Sequence, residues 1–148
     1  MAALQDHPAG RDFARTMTPA GRKKAVLGEL AVAWDELEVS EALLGLGKWR
    51  VALTRAYFAA FHAVRALLYS RDFEPKSHHG ALELFRRELV KAGEFPATDS
   101  YLLSELQRYR EEADYEGSFV IEPAKAKQLV DSAKDLVARL TKNLPDAT

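Results

Sequence analysis

The chain has 148 residues and no cysteine, which makes it about one domain long and excludes disulfides and thiolate metal sites. Apolar residues make up 47% and charged residues 29%, enough apolar side chain for a single core. A net charge of −1 excludes a protein that holds nucleic acid by bulk charge alone.

The opening "MAALQDHPAG" has no apolar h-region, because Asp6, His7 and Pro8 fall where one would sit. No uninterrupted apolar run approaches membrane-spanning length. The expectation is a soluble, unexported, cytoplasmic protein with no membrane partner. It has a flexible arm over residues 1–18, one helical domain over 19–144 and a tail over 145–148.

Thr18 is placed to cap a first helix and Pro19 fits its first position, where the missing N–H costs nothing. Val26, Leu30, Trp34, Leu37 and Leu44 recur at mostly helical spacing until Gly45 and Gly47 stop the run. In the second helix Trp49, Leu53, Tyr57, Phe61, Val64 and Leu68 form one apolar stripe. Beside it runs Ala52, Ala56, Ala59 and Ala63, small enough to admit a second neighbour, so this helix is expected at the centre.

After Pro75, Ser77 can cap a third helix carrying Leu82, Phe85, Leu89 and Val90 as far as Gly93. Thr98 or Asp99 can cap a fourth, with Leu102, Leu103, Leu106, Tyr109 and Ala113 on its apolar side. "EGSFVIEP" reads as a loop pinned by Phe119, Val120 and Ile121. Pro123 then opens a fifth helix through Leu129, Ala133, Leu136, Val137, Leu140 and Leu144. No segment alternates with a period of two, and the loops are short. The fold class is therefore all-α, an up-and-down antiparallel bundle of four to five helices.

Metal chemistry finds no support in the spacing. No Glu stands three residues before His62, His78 or His79, and no His-x-x-x-His occurs. His62, beside Phe61, reads first as a packed, hydrogen-bonded histidine. Lys76, Ser77, His78 and His79 gather cationic and donor groups at one turn, which suits a phosphate or a carboxylate. The plainer alternative is a helix cap with solvated histidines. Arg110 and Asp114 are four apart and can pair on one helix face, worth only about 0.3–0.5 kcal/mol if exposed. Arg108 and Arg110 among Glu111, Glu112, Asp114 and Glu116 equally suit a partner surface or a bidentate phosphate grip.

"ALTRAYFAAFHAVRALLYSRDFEPKSHHG" followed by "LQRYREEADY" resembles the prokaryotic HEPN domain family over roughly residues 25 to 142. The resemblance implies a helical bundle, commonly a homodimer, often encoded beside a minimal nucleotidyltransferase in a toxin–antitoxin-type unit. It also implies a nucleotide or RNA ligand. Active members of the superfamily are metal-independent ribonucleases with an Arg followed, after four to six residues, by His.

Here Tyr115 stands where that His would follow Arg110 or Arg108, and no His occurs after His79. A tyrosine titrating near 10 is a poor proton carrier at neutral pH. In some relatives a tyrosine two residues past the motif His accepts adenylate. That offset lands here on Gly117, which leaves Tyr115 as an acceptor only by proximity.

The reading so far favours a non-catalytic module that binds a nucleotide or a nucleotidyltransferase through Arg108, Arg110, Asp114, Tyr115, Lys76, Ser77 and His78, with no cofactor and no metal. The alternative is a ribonuclease using Arg110 with His78, His79 or Tyr115. A third reading makes the charged cluster a dimer-interface network only.

Overall fold

The computed structural model describes residues 17–115 and 120–145. These form α1 (Pro19–Gly45), α2 (Trp49–Ser70), α3 (His78–Leu84), α4 (Ala97–Tyr115) and α5 (Pro123–Lys142), with no strand among the described residues. Most of the expected N-terminal arm, Phe119 of the expected loop pin, and residues 146–148 of the tail lie outside the described residues.

The caps follow the chemistry of their residues. Thr18 Oγ1 accepts the Gly21 N–H at 2.9 Å, and Ser77 Oγ accepts the Gly80 N–H at 2.9 Å. Gly47 adopts φ 75°, and the following Lys48 N–H reaches back to the Leu43 carbonyl at 2.9 Å, closing α1 with a left-handed turn. The fourth helix differs from expectation. It begins at Ala97, so Thr98 and Asp99 lie inside its first turn rather than at its cap. The Asp99 carboxylate instead takes a bidentate grip from Arg139 of α5, at 2.6 and 2.8 Å.

The third helix also departs from a regular α pattern. From Phe85 to Val90 it widens to a π-helical turn, closed by the Lys91 N–H on the Arg86 carbonyl at 3.0 Å. Phe85 and Leu89 both face the core, and Phe85 meets Phe95 at 5.4 Å between ring centroids.

α2 touches each of the other four helices and is the axis of the bundle. Both of its stripes are buried: Leu53, Tyr57, Phe61, Val64 and Leu68 on one side, and Ala52, Ala56, Ala59 and Ala63 on the other. Where α1 crosses it, Ser40 Oγ donates to the Ala52 carbonyl at 2.7 Å. α2 is also the described helix whose length and composition reach those of a membrane span, and 67% of that window is buried inside the bundle.

The stripe expected on α1 holds at Val26 and Leu37, with Leu30 and Leu44 half-buried, and departs at Trp34. Val26, Ala33, Leu37 and Ser40 face inward, while Trp34 turns to the rim at 38% exposure, its Nε1–H donating to Thr141 Oγ1 at 3.3 Å. α1 carries Leu27, Val32 and Val39 on its outer side as well, so periodicity alone could not show that Trp34 turns to the rim.

The alanine stripe sets how closely the helices approach α2. Replacing Ala56 with Leu should therefore overpack the core and lower stability by about 1–3 kcal/mol. A thermal or urea unfolding curve checks this, and an unchanged midpoint would contradict the tight crossing.

Candidate functional site

Three elements converge on the aromatic side chains of α2. Tyr57 and Phe61, one turn apart, are buried, and Phe58 is partly covered beside them. His78 opens α3, and the Ser77 cap fixes where its ring starts. That ring lies over Phe61 at 3.9 Å between centroids and tilted by 31°, with Phe58 edge-on at 5.9 Å. Tyr57 Oη meets His78 Nδ1 at 3.3 Å. From α4 comes Arg110, its guanidinium carbon 5.2 Å from the Tyr57 ring centre and 5.7 Å from that of Phe58.

A further arginine fixes the end of α4. Arg50 of α2 donates to the Ala113 carbonyl at 3.2 Å, a cation on the last turn of a helix. The same contact holds Arg110 in register with Tyr57. Arg110 Nη1 reaches Asp114 at 3.3 Å, the expected four-residue pair, but its Nε is buried with no hydrogen-bond partner among the described residues.

The electrostatics follow from this packing. The pKa of His78 is held below the usual 6.5, first because one face of the ring is out of water against Phe61. Repulsion by Arg110, Arg65 and His62 adds to this. The imidazole is therefore neutral at pH 7 although the residue as a whole is exposed. Burial raises the pKa of Tyr57, Arg110 partly opposes that and Glu111 adds to it, so the phenol stays protonated.

Two tautomers fit this contact. With Nδ1–H donating to Tyr57 Oη, His78 Nε2 carries a lone pair able to accept a proton. With Tyr57 donating, Nε2–H becomes a donor aimed away from the core.

Of the residues singled out from sequence, Arg110 and His78 are thus brought to one aromatic seat. Asp114 joins through Arg110, and Ser77 serves as the cap. Lys76 and His79 are exposed beside the turn. Arg108 points elsewhere: 54% exposed, it pairs with Glu112 at 3.2 Å and lies over its neighbour Tyr109 at 4.6 Å. Tyr115 stands in solvent at 85% exposure.

His62 is neither isolated nor merely packed, since its Nδ1 meets Glu29 at 2.6 Å. Sequence reasoning counted Tyr57 and Phe61 only as core and passed over Arg65. The available signal was a line of Arg55, His62 and Arg65 on a helix otherwise made of apolar residues. No group of three or more His, Asp or Glu that could hold a metal occurs among the described residues. A separate open cavity of about 520 Å³ between α1 and α5, lined by Glu41, Trp49, Lys127 and Asp131 among others, shares no residue with this site.

Comparison with known proteins places the chain. The HEPN domain model matches residues 30–144. A protein of Methanocaldococcus jannaschii named "Putative toxin MJ0142" is 33% identical over 98 residues, covering 66% of this chain and 67% of that one. A second from the same organism, "Putative toxin MJ0605", is 27% identical over 117 residues, or 79% of this chain and 87% of that one. A "UPF0332 protein" of Thermotoga maritima is 26% identical over 110 residues, covering 74% and 83%.

The lowered pKa of His78 has a consequence for stability. The unfolded chain, with an ordinary imidazole, binds more protons than the folded one between the two pKa values, so this group's contribution is full above about pH 6.5 and falls as the pH drops through that value. His78→Asn should therefore lose less melting temperature than the unsubstituted chain between pH 7.5 and 5.5. Parallel pH dependence of the two would contradict the assigned environment.

Proposed function

The chain belongs to the HEPN family, and we propose that it is a toxin-type member whose Arg110–Tyr57–His78 seat takes an RNA phosphodiester and cleaves it without a metal. The observation that carries the reading is that Tyr57 bears Arg110 on its ring and His78 on its hydroxyl. A guanidinium and a neutral imidazole on one rigid support are the two groups that transfer to a 2′-hydroxyl nucleophile needs.

In this reading His78 Nε2 accepts the proton of the ribose 2′-OH, and the 2′ oxygen forms a bond to phosphorus. The bond to the 5′ oxygen breaks, and that oxygen takes a proton from water. Arg110 carries the negative charge that builds on the non-bridging oxygens. Products are a 2′,3′-cyclic phosphate and a 5′-hydroxyl. The missing histidine after Arg110 argued from sequence against cutting, and in this reading His78, from another helix, takes its place.

A second reading is favoured by the Tyr57-to-Nδ1 tautomer, in which His78 donates rather than accepts. The seat then binds a nucleotide or RNA without turnover, in a unit whose other member is a minimal nucleotidyltransferase. The exposed Tyr115 suits a surface that such an enzyme would reach. In either reading we infer a homodimer, the arrangement the family resemblance implies.

The test is single-stranded RNA incubated with pure protein in EDTA at pH 7.5. Cyclic-phosphate ends should appear, with rates lowered about 100-fold or more by Arg110→Ala and by His78→Ala. RNA left intact at high protein concentration would reject cleavage. Nucleotide binding lost on Arg110→Ala would then support the second reading.

A further inference from the structure

Arg65 lies on α2 one turn past Phe61, on the far side of the His78 seat from Arg110. Its guanidinium carbon is 5.6 Å from the Phe61 ring centre and 5.4 Å from that of Tyr69. One Nη donates to Tyr69 Oη at 2.5 Å and pairs with Glu29 at 3.2 Å, while the other Glu29 oxygen is held by His62. The three side chains keep partial access to solvent, at 29% for Arg65, 17% for Glu29 and 21% for His62.

Among the described residues, the buried side-chain N or O atoms with no hydrogen-bond partner are Arg65 Nε and Arg110 Nε. They belong to the two guanidinium groups that sit on Phe61 and Tyr57, the rings against which His78 packs. A buried donor left unpaired is costly, and groups of this kind call for an explanation beyond folding. Glu29, Tyr69 and two rings hold the Arg65 guanidinium in place while its Nε–H stays unused. Arg65 is also close enough to His78 to oppose its protonation.

We propose that Arg65 is a second phosphate-holding residue, so that the site takes two consecutive phosphates of one single-stranded RNA segment, one at Arg110 and the next at Arg65, with His78 between. The proposal rests on the reading that Arg110 and His78 bind a phosphodiester. Glu29 is then the internal competitor: its carboxylate occupies Arg65 until a phosphate oxygen replaces it. A bidentate guanidinium suits that exchange, and an ammonium would suit it less well.

The test measures binding rather than turnover, by calorimetry with 2′-O-methyl diuridine, whose blocked hydroxyl prevents cleavage. The ligand is used with one phosphate and, carrying a 5′-phosphate, with two. The unsubstituted chain should bind the two-phosphate ligand about tenfold more tightly. Arg65→Gln should erase that advantage while leaving one-phosphate binding within about twofold, and Arg65→Lys should keep part of it. Glu29→Gln, which removes the competitor, should strengthen the two-phosphate ligand alone, an effect that a structural role for Arg65 would not produce.

Equal affinity for the two ligands in the unsubstituted chain, or equal weakening of both by Arg65→Gln, would overturn the proposal. If the one-phosphate ligand binds and Arg110→Gln abolishes it, the phosphodiester seat stands whatever Arg65 does. If neither ligand binds, the underlying reading fails and this one falls with it.

Discussion

The contact on which the rest depends is Tyr57 at the centre of the bundle. Its ring is buried among the helices, yet its face supports Arg110 and its hydroxyl meets His78. A phenol is suited to this position because its body is apolar and its tip polar. Phenylalanine would fill the same volume and leave His78 Nδ1 without its partner. Because α2 touches every other helix, whatever is mounted on Tyr57 is held by the whole core rather than by a loop.

That mounting explains the chemistry of the imidazole. His78 is at once exposed to ligand and partly out of water, since Phe61 covers one face of its ring. Arg110 first, and then Arg65 and His62, add to the pressure against protonation. The result is a neutral nitrogen base at physiological pH beside a permanently charged guanidinium. Relatives named as toxins are 33% and 27% identical to this chain over the matched residues, whereas the residues argued to work here are read from this chain's own packing.

The helices were legible in the sequence because their caps and apolar spacings obey local rules. Thr18, Ser77, Gly47 and Pro123 each stand where local chemistry would put them. What was not legible has a physical reason in each case. α1 is apolar on more than one side, so period placed Val26 and Leu37 inward but could not show that Trp34 turns to the rim beside Thr141. Asp99 was drawn from capping duty by Arg139, a contact across forty residues of sequence. The π-helical turn over Phe85–Val90 carries no local signal such as a proline or glycine inside it.

The site was half visible. Arg110 and His78 stood out as charged groups in suggestive company, but their meeting place was a tyrosine indistinguishable from core by spacing. Arg108 and Tyr115 looked equal to Arg110 along the chain, yet helical phase turns both away from the seat.

The most direct measurement is the ¹⁵N resonance pattern of the His78 ring, followed through pH with and without 2′-O-methyl diuridine. The account predicts one dominant neutral tautomer fixed by Tyr57 and an apparent pKa below 6.5 in the free chain. That pKa should rise when a phosphate anion settles beside the ring. An imidazole titrating at or above 6.5, with resonances unmoved by saturating ligand, would contradict the claim that Tyr57 joins His78 to Arg110 as one phosphate-binding seat.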